Sequence, residues 1–142
     1  MTTVSSIVNL KSIDATFMVG VDSRGRPVTI GSKTGDENEW LGLKASDLLL
    51  LSAAACSTYD VITILTKQRE PFTTIEVQCT GEQNAEPPNA FVGIHLHYTI
   101  RGNVNREKAE KAIRLSEDKY CSVIATLRNA VQISSDFEIL SE

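Results

Sequence analysis

Apolar residues fall into alternation at both ends of this chain and into a continuous block in its middle. Phe17, Val19 and Val21 share one face with Met18 and Gly20 between them, the period of two that marks a strand. Ser23-Arg24-Gly25 then predicts a turn in which Gly25 is free to take a positive φ. Val28 and Ile30 resume the apolar face after Pro27, so a hairpin is expected within an extended stretch from Val4 to Gly31. Residues 31–43 are polar and glycine-punctuated up to Trp40, the pattern of a surface loop that returns one large side chain to the body.

Between Leu48 and Leu65 the pattern changes. The run LLLLSAAACSTYDVITIL is apolar or small on nearly every helical face, and it continues to Arg69 before Pro71, which cannot extend a helix. One helix of about six turns is predicted, starting near residue 46 with Ser46 as N-cap and Asp47 at the positive end of the dipole. A helix apolar all round is covered by protein or by lipid; Ser52, Ser57, Thr58, Asp60 and Thr63 favour protein.

Beyond Pro71 the period of two returns. Ile75, Val77 and Cys79 alternate with Glu76, Gln78 and Thr80, and a Gly/Asn/Pro-rich connection runs through Asn89. In the next strand, Phe91 to Arg101, Ile94, Leu96, Tyr98 and Ile100 face one way and Gly93, His95, His97 and Thr99 the other, which predicts an antiparallel pair. Asn105 caps an amphipathic helix that runs to about Glu117 through Ala109, Ala112 and Ile113. A short helix follows from Tyr120-Cys121 to Asn129, and Val131, Ile133, Phe137 and Ile139 alternate into a last strand. The fold class is therefore α+β in a single domain, 1–142. One small sheet cannot cover every face of the central helix, so a homodimer with the long helices packed together is expected.

Composition narrows the function. A formal charge of −4 gives no footprint for nucleic acid. The amino terminus MTTVSSIVNLKSID carries neither a basic leader nor a continuous apolar segment, so no secretory signal is visible and a cytoplasmic protein is expected, with no membrane among its partners. Three widely spaced cysteines with no CxxC pair argue against a disulfide framework and against structural zinc. Packing or redox chemistry remains for them.

Cys56 sits at the middle of the apolar block, where a thiol either fills space or works. A working thiol needs a lowered pKa, and Cys56 is about 15 Å along the axis from its own helix start. Activation must then come from another segment, and Arg24 and Arg26 on the hairpin turn are the available cations. Asp60 lies one turn further on the same face, suited to a cation or a backbone partner. Cys121 stands where two helices meet and side chains can be aimed. Cys79, beside Ile75 and Val77 with nothing polar nearby, reads as core. His95 and His97 share a strand face as a metal pair would, but no third ligand adjoins them.

The segment GLKASDLLLLSAAACSTYDVITILTKQRE, followed some fifty residues later by RLSEDKYCSVIATL, resembles the OsmC/Ohr family of thiol-dependent peroxidases, in particular its OsmC-like branch. The order and spacing cover essentially the whole chain. The resemblance implies an intertwined α+β homodimer, with antiparallel sheets wrapped around long central helices and an active site at the subunit interface. It implies reduction of organic hydroperoxides or hydrogen peroxide with no metal or organic cofactor. Cys56 would be the peroxidatic thiol and Cys121 the resolving one, forming a disulfide that an external dithiol reduces. In the family the helix opens with Pro and Glu; Ala45 and Ser46 occupy those places here, leaving Asp47 as the nearest carboxylate. The loop before the helix differs in length from the family's, so the family's arginine corresponds to Arg24, to Arg26 or to neither; Arg24 is taken with Asp47 as the assisting pair. The rival expectation is a non-catalytic OsmC-like stress or binding protein, with an apolar ligand in its pocket and cysteines that only pack.

Overall fold

The structure is a computed structural model that describes residues 2–34 and 39–141. It divides into two compact units, residues 1–49 and 50–142.

In the first unit, β1 (Asn9–Asp14), β2 (Phe17–Val21) and β3 (Pro27–Ile30) form an antiparallel meander in that order. The β2–β3 turn is built as expected: Gly25 has φ +83°, and the Asp22 carboxylate accepts the backbone N–H of Arg24 and of Arg26, each at 2.8 Å. The alternation in β2 does not become two unlike faces, for Gly20 is buried while Phe17, Met18, Val19 and Val21 are all half-buried. Gly31 (φ +84°) leads into the loop, and bridges from Ser32 to Trp40 and from Ile30 to Leu43 return it to the strand. Part of that loop, residues 35–38, lies outside the described residues.

The central helix α1 spans Ala45–Lys67. It starts one residue before the expected cap, because the Lys44 carbonyl already accepts from the N–H of Asp47 and of Leu48. It stops two residues short of Arg69, which turns out of the helix at φ +58°. Among the described residues α1 is the one helix long and apolar enough to cross a membrane. Its fully buried positions, Ala53, Ser57, Val61 and Leu65, form a single stripe at four-residue spacing, so one chain covers one face rather than all.

In the second unit, β4 (Phe72–Gln83), β5 (Phe91–Gly102) and β6 (Gln132–Leu140) make a sheet with β5 at the centre, antiparallel to β4 and parallel to β6. A parallel neighbour requires a long crossover. Residues 103–131 supply it, through α2 (Arg106–Leu115), a π-helical turn (Ser116–Tyr120) and α3 (Ser122–Leu127). Ile94, Leu96, Tyr98 and Ile100 on the inward face of β5 cluster with Val61 and Leu65 of α1 and with Ala109, Ala112 and Ile113 of α2. Asn105 caps α2 as predicted, its side chain accepting from Lys108 N–H at 3.0 Å. The helix expected to reach Glu117 ends at Leu115, and the π turn takes over, closed by Cys121 N–H donating to Ser116 O at 2.8 Å.

Candidate functional site

The π turn and α3 decide where the second thiol goes. Cys121 is the extended residue before α3 (φ −76°, ψ 108°) and serves as its N-cap, with Sγ accepting from Ile124 N–H at 3.5 Å. Buried among the core residues, it is brought into hydrogen-bonding relation with Cys56 on α1. The Cys56 Sγ also lies 3.9 Å from the Ser122 hydroxyl. All three cysteines are free thiols.

The two facing thiols are pushed in opposite directions. Burial raises Cys56, but the Val123 amide, the Cys121 thiol, and the Ser122 hydroxyl and amide all favour its thiolate and bring it below the usual thiol range. Ser122 and Val123 open α3, so their amides are among those a helix leaves without an internal partner. Cys121 is pushed up to about 11, first by burial and then by its place beside Cys56, with the Ile124 amide opposing. The site can therefore hold one thiolate and one protonated thiol together. Cys79 is raised by burial alone on its strand, in keeping with a packing role.

Neutral donors at the start of a different helix thus favour the Cys56 thiolate. No residue type in the sequence announces backbone amides. The one available signal was the position of Cys121 at a helix junction, two residues before Val123. Arg24 is exposed on the β2–β3 turn of the first unit, and its side chain forms no ion pair among the described residues; Arg26 is exposed on the same turn. Asp47 is exposed in the first turn of α1, also within the first unit. The structure brings Cys56 and Cys121 together in the second unit, and Arg24 and Asp47 belong to the first.

Asp60 Oδ2 accepts from Ser116 Oγ at 2.8 Å, and among the described residues its carboxylate forms no ion pair. Beside it an open groove of about 390 Å³ is lined by Tyr59, Asp60, Thr63, Ile64, Lys67, Gln68, Leu115 and Tyr120. On the outer sheet face His95 and His97 are engaged by β6. Asp136 Oδ1 lies 3.0 Å from His95 Nε2 and 2.7 Å from His97 Nδ1, and Glu138 lies 3.2 Å from His97 Nε2. Hydrogen bonds to Asp136 and then to Glu138 raise the His97 pKa. Among the described residues no group of three His, Cys, Asp or Glu side chains is arranged to hold a metal ion.

Known proteins share this architecture and sequence. A family model described as OsmC-like protein matches residues 35–136. Protein YhfA of Escherichia coli K12 is 30% identical over 133 residues, covering 93% of this chain and 96% of its own. A hypothetical protein from Aquifex aeolicus VF5 superposes with a TM-score of 0.87 at 28% identity, covering 99% of both chains. The organic hydroperoxide resistance protein OhrB of Bacillus subtilis shares the fold at a TM-score of 0.65 and 17% identity, over 95% of this chain and 98% of its own. With a family model spanning most of its length and a relative at this identity, the chain belongs to the OsmC-like protein family.

Proposed function

We propose that this chain is a thiol-dependent peroxidase that reduces organic hydroperoxides, with hydrogen peroxide as a second substrate. The observation that carries the reading is the pairing of a lowered Cys56 with a raised Cys121 in hydrogen-bonding relation. A peroxide needs a thiolate to attack it, and the resulting sulfenic acid needs a second thiol at hand. The Cys56 thiolate attacks the terminal peroxide oxygen, an S–O bond forms, the O–O bond breaks, and the alkoxide leaves with a proton as alcohol. Cys121 sulfur then attacks the Cys56 sulfenic sulfur; its proton and the hydroxyl leave as water, and a disulfide remains. An external dithiol returns both thiols by exchange. The Bacillus subtilis neighbour named for organic hydroperoxide resistance supports that substrate class. Arg24 is assigned to steadying the thiolate and Asp47 to orienting that arginine.

The active form is a cytoplasmic homodimer. Its support is the outer stripe of α1, where Leu51, Tyr59 and Ile62 are 51%, 74% and 41% exposed. A sedimentation mass of one 15.5 kDa chain would sink the dimer.

Cumene hydroperoxide and hydrogen peroxide are each added to the purified protein, and disulfides are mapped in non-reducing digests. A Cys56–Cys121 linkage is expected, and Cys56→Ser is expected to stop consumption. Consumption by Cys56→Ser at the wild-type rate refutes the mechanism. The open groove beside Asp60 supports a second reading, an apolar ligand-binding protein, which a co-purified apolar molecule with peroxide-inert thiols would favour.

A further inference from the structure

Behind the thiol pair runs a buried chain of hydroxyls that the peroxidase chemistry does not use. Ser57, Ser116 and Tyr98 are each 0% exposed. Tyr98 Oη lies 2.5 Å from Ser57 Oγ, Ser116 Oγ lies 3.0 Å from Ser57 Oγ, and Ser116 Oγ donates to Asp60 Oδ2 at 2.8 Å. Ser116 Oγ is the donor toward both Asp60 Oδ2 and Ser57 Oγ, and the Ser57 and Tyr98 hydroxyls pair with each other. Every hydroxyl has a partner, so three buried polar side chains cost little to keep.

The ends of this row matter because of their neighbours in the chain. Ser57 follows Cys56 directly, and Asp60 lies one turn beyond it. Ser116 opens the π turn, and its carbonyl accepts the Cys121 N–H at 2.8 Å. One residue therefore holds α1 by its side chain and Cys121 by its backbone. Tyr98 ties the same point to the central strand, since its ring sits in the core and its hydroxyl reaches Ser57. A core residue in place of Ser116 would fill the space without specifying where along α1 the π turn sits.

We propose that Tyr98, Ser57, Ser116 and Asp60 form a positioning device that sets the separation and register of Cys56 and Cys121, so that disulfide closure depends on it. This deepens the peroxidase reading by assigning the residues that make the resolving step fast, and it rests on the two thiols reacting with each other.

The test uses diamide, a diazene that needs no peroxide site. Its N=N bond takes two electrons and two protons from the thiols, the S–S bond forms, and the hydrazine is released. Closure of Cys56–Cys121 is timed by quenched alkylation and peptide mapping in wild type, Ser116→Ala, Tyr98→Phe and Leu65→Ala. Leu65→Ala opens the same core and removes none of the row's hydrogen bonds, so it controls for simple loss of stability. Ser116→Ala is expected to close at least about fivefold more slowly, Tyr98→Phe about twofold more slowly, and Leu65→Ala at the wild-type rate. The effective concentration of one thiol at the other, read from equilibrium with a glutathione buffer, is expected to fall in the same order. Tyr98→Phe removes one oxygen and keeps the ring, so it decides the matter even where Ser116→Ala does not fold. Closure by the hydroxyl variants at the wild-type rate, or slowing matched by Leu65→Ala, overturns the proposal. Wild type that closes with diamide but leaves cumene hydroperoxide unconsumed refutes the peroxidase reading and leaves the positioning role standing.

Discussion

Ser122 offers a direct measure of how much the start of α3 contributes to the Cys56 thiolate. It presents two donors, the hydroxyl 3.9 Å from Cys56 Sγ and its own amide. Ser122→Ala removes the first, and Ser122→Pro removes both. The backbone accepts proline at this place: Cys121 before it is extended at φ −76°, ψ 108°, and Ser122 is the first helical residue. A hydrogen bond to a charged group contributes roughly 1.5–3 kcal/mol. The sulfur here is half-buried and the contact long, so about half the lower figure, ~0.7 kcal/mol per donor, is appropriate after screening by water. Well below the titration midpoint, the thiolate fraction should fall about threefold in Ser122→Ala and about tenfold in Ser122→Pro. The assay is the ultraviolet absorbance of the thiolate against pH, with Cys56 assigned by subtracting the Cys56→Ser titration. Alkylation rate is a poorer readout, because a thiol of higher pKa yields a stronger nucleophile and masks part of the change. A folded Ser122→Pro with the wild-type titration would refute the claim that amides of α3 lower Cys56.

The opposed shifts of the two thiols also predict selective labelling. Between about pH 7 and 9 a neutral alkylating reagent should modify Cys56 and spare Cys121, which is held up at about 11; equal labelling in peptide maps would contradict the assignment. Glu117 gives a prediction about stability. Burial raises its pKa against the hydrogen bond from Ser135, and its buried Oε1 has no partner among the described residues. A carboxyl raised in the folded state favours folding below its unfolded value of about 4.3, and that contribution is lost as the pH rises through the folded value. Glu117→Gln, uncharged throughout, is thus expected to raise the melting temperature near neutral pH and not near pH 4. An unchanged or lower neutral melting temperature would refute this.

Local patterns in the chain carried much of the architecture. The alternation of β5 survives in the structure residue for residue, with Ile94, Leu96, Tyr98 and Ile100 buried and His95, His97 and Thr99 turned outward, because a strand's side-chain period is fixed by its backbone. Asn105 caps α2 because its side chain needs only a neighbour three residues on. What escaped was set by distance along the chain. The parallel pairing of β6 depends on the crossover, and the Ser116 hydroxyl that opens the π turn meets Asp60 fifty-six residues away. The sidedness of α1 was equally hidden, since an apolar block without period does not say which stripe its own chain will cover. At the site, the two cysteines were legible as a motif, whereas the donors between them belong to the backbone and to a serine in an ordinary helix start.

Cys121 holds two positions at once: it faces Cys56, and its sulfur is the cap of α3. A sulfur drawn into a disulfide must reorient, and it is then a weaker acceptor for the Ile124 amide. Closure of the proposed Cys56–Cys121 disulfide would therefore loosen the first turn of α3, the same turn that carries the Ser122 and Val123 amides. The proposed oxidised form would lose the arrangement that lowers Cys56, and reduction would restore it, so the six-residue helix α3 would register the last redox event.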